Sequence, residues 1–288
     1  PDETLIGVED NKPEGIAALL AAAQDSGIEI VVFPTKYPSG GEKQLIEILT
    51  GKQVPSGGLP SQVGVICQNV GTAVAIYEAV VQGRPLISRV TTVTGDSLRE
   101  PQNFQVLIGT PMRYLLERAG YQAEKNNRLI MGGPMMGFTV PDAGVPIVKT
   151  TNCLLAPTES ELPTPPPAQA CIRCGLCAEA CPVSLLPQQM FWFAQGKEFD
   201  KLEHHNLFDC IECGACSYVC PSHIPLVQYY RASKAEVLQL RRDHEKAEQS
   251  RMRFEARQQR LEQAEAEKEA KRAARKLAAE QRAQAAAT

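Results

Sequence analysis

Eight of the ten cysteines in the chain fall into two copies of one spacing, Cys-x-x-Cys-x-x-Cys-x-x-x-Cys-Pro. The first motif consists of Cys171, Cys174, Cys177 and Cys181 followed by Pro182. The second consists of Cys210, Cys213, Cys216 and Cys220 followed by Pro221. Thiolates at these intervals hold cubane iron–sulfur clusters, whose chemistry is electron transfer. The two motifs therefore predict two [4Fe–4S] clusters.

The fourth cysteine of each motif is expected to serve the cluster of the other motif. Three thiolates spaced two residues apart can wrap around one face of a four-iron cube. The fourth lies too far along the chain to reach the same cube, and in two-cluster ferredoxins it ligates the other one. The predicted sets are Cys171, Cys174, Cys177 and Cys220 for one cluster, and Cys210, Cys213, Cys216 and Cys181 for the other.

Two glycines are expected to shape the motif loops. Gly175 and Gly214 each follow the second cysteine of a motif. A residue without a side chain lets the backbone turn tightly there and bring its N–H groups toward the cluster sulfurs.

Structural zinc is the main alternative use of so many cysteines. Zinc modules usually present two Cys-x-x-Cys pairs separated by a longer loop, whereas each motif here places four cysteines within eleven residues ahead of a proline. A disulfide framework suits a short secreted chain better than 288 residues in which no signal peptide is recognised. Cys67 and Cys153 stand outside both motifs and are expected to be small buried apolar residues.

Charge is distributed unevenly along the chain. Residues 231–288 carry 15 basic and 10 acidic side chains, whereas residues 1–230 carry 15 basic and 23 acidic ones. Such a diluted positive excess gives little support for nucleic-acid binding, so no nucleic-acid partner is expected. No apolar run approaches the roughly 18 residues of a spanning helix, so no segment is expected to cross a membrane unaided.

The first portion of the chain, residues 1–83, is predicted to be an α/β unit. Apolar runs at 5–9 and 28–33 predict two strands joined by a helix. The glycine-rich loop at 37–41 opens directly into a predicted helix at 42–49. Free backbone N–H groups at such a helix start can receive an anion or a phosphate, although the pattern by itself is more often only a turn.

Four further segments follow this portion. Residues 84–155 are expected to form a small β-grasp-like module, because three strand-like runs surround one helix. Residues 156–170 are predicted to be a proline-rich linker in extended polyproline conformation, not a packed element. Residues 171–230 are predicted to be a mostly helical two-cluster domain, and residues 231–288 a polar helix or disordered tail. The expected fold is therefore an α+β multidomain protein.

Two strings in the first portion, at residues 37–52 and 69–72, precede the β-rich module and the two motifs. This combination resembles the C subunit of the Rnf ion-translocating electron-transport complex. The first half is also similar to the flavin- and NADH-binding subunit of respiratory complex I. The matching residues are Tyr37, Gly40, Glu42, Leu45, Ile46, Gly51, Lys52, Asn69, Val70 and Thr72. Gly41 and Lys43 depart from the complex I pattern, which has a glutamate and a threonine at these two positions.

The resemblance implies FMN and NADH as cofactors beside the two clusters. The residues that it implies for this site are Tyr37, Gly40, Gly41, Glu42, Lys43, Asn69 and Thr72. The family's glycine-rich flavin loop and its acidic cofactor motif would lie upstream of Pro1, so the chain is expected to hold only part of the flavin site. No catalytic acid, base or nucleophile is expected.

The implied role is an electron-transfer subunit of a membrane-bound oxidoreductase that couples electron flow to ion translocation. The implied partners are NADH or ferredoxin and the membrane subunits of the complex. The chain would associate peripherally with the cytoplasmic face of the bacterial inner membrane. Two alternatives stay open: a soluble flavin and iron–sulfur cobalamin reductase with the same module order, and a structural scaffold whose cysteines hold zinc.

Overall fold

The computed structural model describes residues 3–126 and 128–286. Contacts among the residues divide the chain into two compact units, one ending at Arg231 and the other beginning at Ala232. The first unit contains the α/β portion, the β-rich module and both cysteine motifs. The second unit is helical.

The first portion begins with strands β1 (Thr4–Glu9) and β2 (Ile28–Phe33), which pair in parallel and are joined by helix α1 (Pro13–Ala22). Parallel strands need a crossover of this kind, because the chain must return to the same end of the sheet. Helix α2 (Glu42–Thr50) packs over β1 at Gly7, where an added Cβ would lie 3.0 Å from a leucine methyl of α2. The predicted β-α-β unit is confirmed.

The helix ends in this portion follow their local sequence signals. Helix α2 ends at Gly51, which has a left-handed φ of 68° that glycine adopts without steric cost. Helix α3 (Val70–Val81) begins after Asn69, whose side chain accepts a hydrogen bond from the Gly71 N–H at 2.9 Å. Neither α1 nor α3 contains a fully buried residue, although both are rich in apolar residues. This portion therefore buries little core of its own.

The β-rich module is a five-stranded sheet in the order β4-β3-β7-β5-β6. Its elements are β3 (Ser88–Thr94), β4 (Gln102–Leu107), α4 (Met112–Arg118), β5 (Leu129–Met131), β6 (Phe138–Val140) and β7 (Cys153–Leu155). Strands β3 and β7 run parallel, and the other neighbours run antiparallel. Helix α4 buries Met112, Leu115 and Leu116 in the core of the module. The sequence pattern does not reveal β6 and β7, because three residues are too few to show an alternation.

The proline-rich segment after β7 is held against the module over its first half. Ala156 is fully buried, and its N–H donates to the Thr94 carbonyl at 2.8 Å. The Arg128 guanidinium donates to the carbonyl oxygens of Leu162 and Pro163 at 2.7 and 2.8 Å. The composition predicts an unpacked segment, but residues 156–163 pack against the module. Hydrogen bonds to the module satisfy backbone groups that would otherwise bond to water.

The two cysteine motifs fold as two copies of one backbone, and Cys210 follows Cys171 by 39 residues. Helix α5 (Leu176–Glu179) of the first copy corresponds at this offset to α8 (Ala215–Tyr218) of the second. Helix α6 (Pro187–Gln195) corresponds in the same way to the beginning of α9 (Leu226–Ala286), and α7 (Phe199–His204) lies between the copies. The prediction that this region is mostly helical is confirmed.

An apolar core joins the two copies. Met190, Leu202 and Leu207 are fully buried in it, and the buried Tyr230 hydroxyl donates to the Pro187 carbonyl at 2.6 Å. The apolar stretch around Trp192 predicts that this side chain packs in the core, and that prediction is wrong because the side chain is 46% exposed. Consecutive helical residues face different directions, so the burial of the preceding residue on α6 turns Trp192 outward.

The second unit continues α9 to Ala286 as a polar helix. Ion pairs three and four residues apart support it, including Arg251–Glu248 at 2.8 Å and Lys271–Glu267 at 2.6 Å. Of the two expectations for the tail, the helical one is confirmed. Within residues 3–126 and 128–286, no helix combines the length and the apolar character that a membrane span requires.

Candidate functional site

The structure brings the eight motif cysteines together around two cavities. The first cavity is lined by Cys171, Cys174, Cys177 and Cys220, with Phe191 and Leu226 among the apolar residues around them. The second cavity is lined by Cys181, Cys210, Cys213 and Cys216, with Met190, Val227 and Tyr230 around them. Each cavity thus takes three cysteines from one motif and the fourth cysteine from the other.

Left-handed backbone residues recur at matching positions of the two motif loops. Arg173 and Glu212 have φ values of 58° and 57°, and Gly175 and Gly214 both have a φ of 85°. These reversals let three cysteines that are two residues apart line one cavity. The tight turns expected at the two glycines are confirmed.

Burial dominates the electrostatics of the most enclosed thiols. It raises the pKa of Cys216 to about 12, with the charges of Cys210 and Cys213 adding to the effect. Burial is also the main cause of the raised pKa of Cys177. A metal-binding cysteine must be a thiolate, so iron binding has to displace these protons.

A backbone N–H group donates to the sulfur of one cysteine that lines the second cavity. The N–H of Leu185 donates to Sγ of Cys181 at 3.3 Å. Hydrogen bonds of this kind stabilise negative charge on a ligand sulfur and thereby influence the potential of a cluster.

The cysteine sets surround a space instead of converging on a point. Across residues 3–126 and 128–286, no group of three or more His, Cys, Asp or Glu side chains is placed so that it could hold a metal ion. A zinc ion would need four ligand atoms on one centre, with sulfurs about 2.3 Å away. The four thiolates of a cubane instead stand around a larger object. In both cavities, four cysteines line such a space.

Four of the residues expected at a flavin-type site lie at the beginnings of two helices. Gly41 is the N-cap of α2 and Glu42 lies in the first turn, while Asn69 is the N-cap of α3 and Thr72 lies in its first turn. Burial, and then the negative charge of Glu42, raise the pKa of the Cys67 thiol. The start of α2 therefore lies near the segment that leads into α3.

Two other residues of the expected flavin-type set lie against the second cysteine motif or the residue that precedes it. The Tyr37 hydroxyl donates to the Cys213 carbonyl at 2.6 Å, and Lys43 Nζ lies 3.9 Å from Asp209 Oδ1. Gly40 is exposed, and a Cβ added there would meet nothing within 4 Å. The structure thus brings Tyr37 and Lys43 to the second cavity's loop, whereas Gly40 faces open space.

Asp209 is a candidate residue that sequence reasoning missed. It directly precedes Cys210, and its carboxylate accepts hydrogen bonds from the Ser56 hydroxyl and, at 3.4 Å, from the Gly57 N–H. The sequence could have drawn attention to it only as an acidic residue beside a cluster cysteine, because its partners are more than 150 residues away in sequence. The two cysteines outside the motifs, Cys67 and Cys153, were expected to be buried, but the structure leaves both only partly buried.

Three family models match successive parts of the chain. The Nuo51 FMN-binding domain matches residues 1–78, the SLBB domain residues 90–139, and the 4Fe-4S dicluster domain residues 170–224. These matches support FMN and [4Fe–4S] clusters as the cofactors of this fold. They also agree with the order of a flavin-type portion, a β-rich module and a two-cluster region.

Curated relatives match almost the whole chain. The C subunit of the ion-translocating oxidoreductase complex of Pseudomonas aeruginosa is 60% identical over 94% of this chain and 35% of its own length. The proteins of the same name from Yersinia pseudotuberculosis and Klebsiella pneumoniae are 58% and 57% identical, each over 91% of this chain. The chain spans 38% and 35% of these two relatives.

A solved structure also aligns with the chain. It is an NAD+-reducing [NiFe]-hydrogenase in the H2-reduced state, of which 47% is covered, at 15% identity and a TM-score of 0.45. A likeness at this level does not establish a shared fold. The relatives at 57–60% identity are homologues of the chain, which spans little more than a third of the length of these C subunits of the ion-translocating oxidoreductase complex.

Proposed function

We propose that the chain is the electron-carrying part of a larger C subunit and passes single electrons through two [4Fe–4S] clusters. The observation that carries the proposal is the grouping of the eight motif cysteines around two cavities, three from one motif and one from the other in each case. The names of the relatives support an oxidoreductase context.

The residues around the cavities fit such clusters. Cys171, Cys174, Cys177 and Cys220 would hold one cluster, and Cys210, Cys213, Cys216 and Cys181 the other. When bound, each cluster supplies a one-electron carrier whose potential follows from burial, hydrogen bonds and net charge. The chain contributes apolar side chains that line both cavities, a backbone donor to Cys181, and loops that bring three cysteines of one motif to each cavity.

The electron donor and the coupling to ion movement are part of the same proposal. NADH, acting with FMN, or ferredoxin would deliver electrons, with Gly41, Glu42, Asn69 and Thr72 contributing to the flavin-type site at the starts of α2 and α3. Electrons would continue to membrane subunits of the complex, with the chain bound peripherally at the cytoplasmic face of the bacterial inner membrane. We propose the domain bounds 1–83, 84–155, 156–170, 171–230 and 231–288 for this arrangement.

Neither alternative function is favoured. A soluble cobalamin reductase would share the module order, but the curated relatives are subunits of an ion-translocating complex. A zinc scaffold is less favoured because the model of the 4Fe-4S dicluster domain matches residues 170–224, which contain all eight motif cysteines.

A reductive titration of the anaerobically purified chain tests the proposal. We expect reversible uptake of about two electrons per chain, one for each cluster, accompanied by the paramagnetic resonance signals of reduced cubanes. A variant in which Cys210 and Cys213 are replaced by Ala should take up about half as many electrons. A chain that binds metal but takes up no electrons would rule out electron transfer as its function.

A further inference from the structure

The two motif loops share one backbone but have different surroundings. In the second loop Cys213 is buried, and a Cβ added to Gly214 would lie 2.9 Å from the Met135 carbonyl oxygen. In the first loop Cys174 is exposed, and a Cβ added to Gly175 would meet nothing within 4 Å. The two motif loops can therefore be compared directly: the second loop is covered by other parts of the chain, and the first is open.

Part of this cover comes from the first portion of the chain. The Tyr37 hydroxyl donates to the Cys213 carbonyl at 2.6 Å, and this cysteine lines the second cavity. A hydroxyl that donates to this carbonyl offsets part of the negative charge on a carbonyl oxygen of a cluster-binding residue. Such a hydrogen bond acts more strongly at a buried site than in water, because the local dielectric is lower.

A charged contact lies beside the same loop. Lys43 Nζ lies 3.9 Å from Asp209 Oδ1, and both side chains are about two-thirds buried or more. Asp209 directly precedes the first cysteine of the second motif, whereas the residue that precedes the first motif is Ala170, which carries no charge. The second cluster therefore has an anchored ion pair at a position where the first motif has none.

We propose that Tyr37 and Lys43 are positioning residues for the cluster of the second cavity, holding the first portion on the second motif and raising the reduction potential of that cluster alone. The inference rests on the proposed function, because it requires both clusters to assemble. It makes the second cavity's cluster the one that meets electrons arriving at the first portion, while the exposed Cys174 lies at the first cavity.

The expected selectivity follows from charge and position. Reduction adds one negative charge to a cluster, so a nearby positive charge or a donated hydrogen bond stabilises the reduced state and raises the potential. Neither Cys213 nor Asp209 is among the residues that line the first cavity. Removing Lys43 or the Tyr37 hydroxyl should therefore lower the potential of one cluster and leave the other unchanged.

Redox titrations followed by paramagnetic resonance test this inference in the whole chain. Tyr37→Phe and Lys43→Met should each shift the midpoint of the second cluster to lower potential, and the double variant should shift it further. Lys36→Met is the matched control, because Lys36 is an exposed lysine on the loop just before Tyr37, and it should leave both midpoints unchanged. Variants that lack Cys171 and Cys174, or Cys210 and Cys213, assign each signal to its cluster.

The possible outcomes distinguish a failure of the roles of Tyr37 and Lys43 from a failure of the proposed function. Assembled clusters whose midpoints do not move, or move by equal amounts, would overturn the roles of Tyr37 and Lys43 while leaving the proposed function standing. A wild-type chain without clusters would overturn the proposed function itself. If Lys43→Met loses iron, Lys43→Gln decides, because it keeps a polar side chain beside Asp209 and removes the positive charge: the midpoint of the second cluster alone should fall, and an unmoved midpoint would reject the inference.

Discussion

Replacing Cys181 should destroy the cluster that is built on the second motif, and replacing Cys220 should destroy the one built on the first. This is expected because each cavity is lined by three cysteines of one motif and by the fourth cysteine of the other. The most discriminating experiment starts from a variant in which Cys171 and Cys174 are both replaced by Ala. That chain should retain about four irons, in the cluster of the second cavity.

Adding one further substitution to this background separates the two possible pairings. Cys181→Ala should remove a ligand from the surviving cluster, reducing its iron and changing its resonance signal, whereas Cys220→Ala should leave both unchanged. Cys153→Ala is a control, since Cys153 is a strand residue of the β-rich module and lines neither cavity. The opposite pattern, with Cys220 needed and Cys181 dispensable, would show that each motif completes its own cluster.

Gly214→Ala should be markedly more damaging than Gly175→Ala, although the two glycines have the same φ of 85°. An alanine at this φ costs about 1 to 2 kcal/mol at either position. Only at Gly214 would the new Cβ also collide with backbone, 2.9 Å from the Met135 carbonyl oxygen. We expect an additional loss of about 1 to 3 kcal/mol in the free energy of unfolding there, together with loss of iron from the second cluster.

Denaturant unfolding and iron analysis of the two variants, measured side by side, check this expectation. Because the backbone conformation is matched, the difference between the variants isolates the packing of the second loop against Met135. Equal losses of stability in the two variants would mean that the β-rich module does not cover the second loop. The contrast between a covered second loop and an open first loop would then lose one of its supports.

The chemistry was more predictable from the sequence than its surroundings. Cysteine spacing is a local property, and it was sufficient to anticipate the sets that line the two cavities and the turns at Gly175 and Gly214. The glycine-rich loop at 37–41 likewise indicated that α2 begins at residue 42. These features depend on residues close together in the chain, where steric rules decide the conformation.

The features that sequence reasoning missed depend on contacts between distant residues. Asp209 is a candidate residue because it pairs with Lys43 and accepts a hydrogen bond from Ser56. No periodicity in the sequence links these distant residues to it. Tyr37 matches a flavin-type string, yet its hydroxyl contacts a cysteine loop 176 residues away. The repeat also hides an asymmetry, because two motifs of equal spacing give no sign that one loop is covered and the other exposed.

The central claim is that the eight motif cysteines hold two cubane clusters, and a native mass spectrum of the anaerobically prepared chain tests it most directly. The account predicts a mass increase that corresponds to about eight irons and eight sulfides per chain, with a four-iron intermediate when either set of cysteines is disrupted. A chain that carries one or two zinc ions and no sulfide would contradict the account.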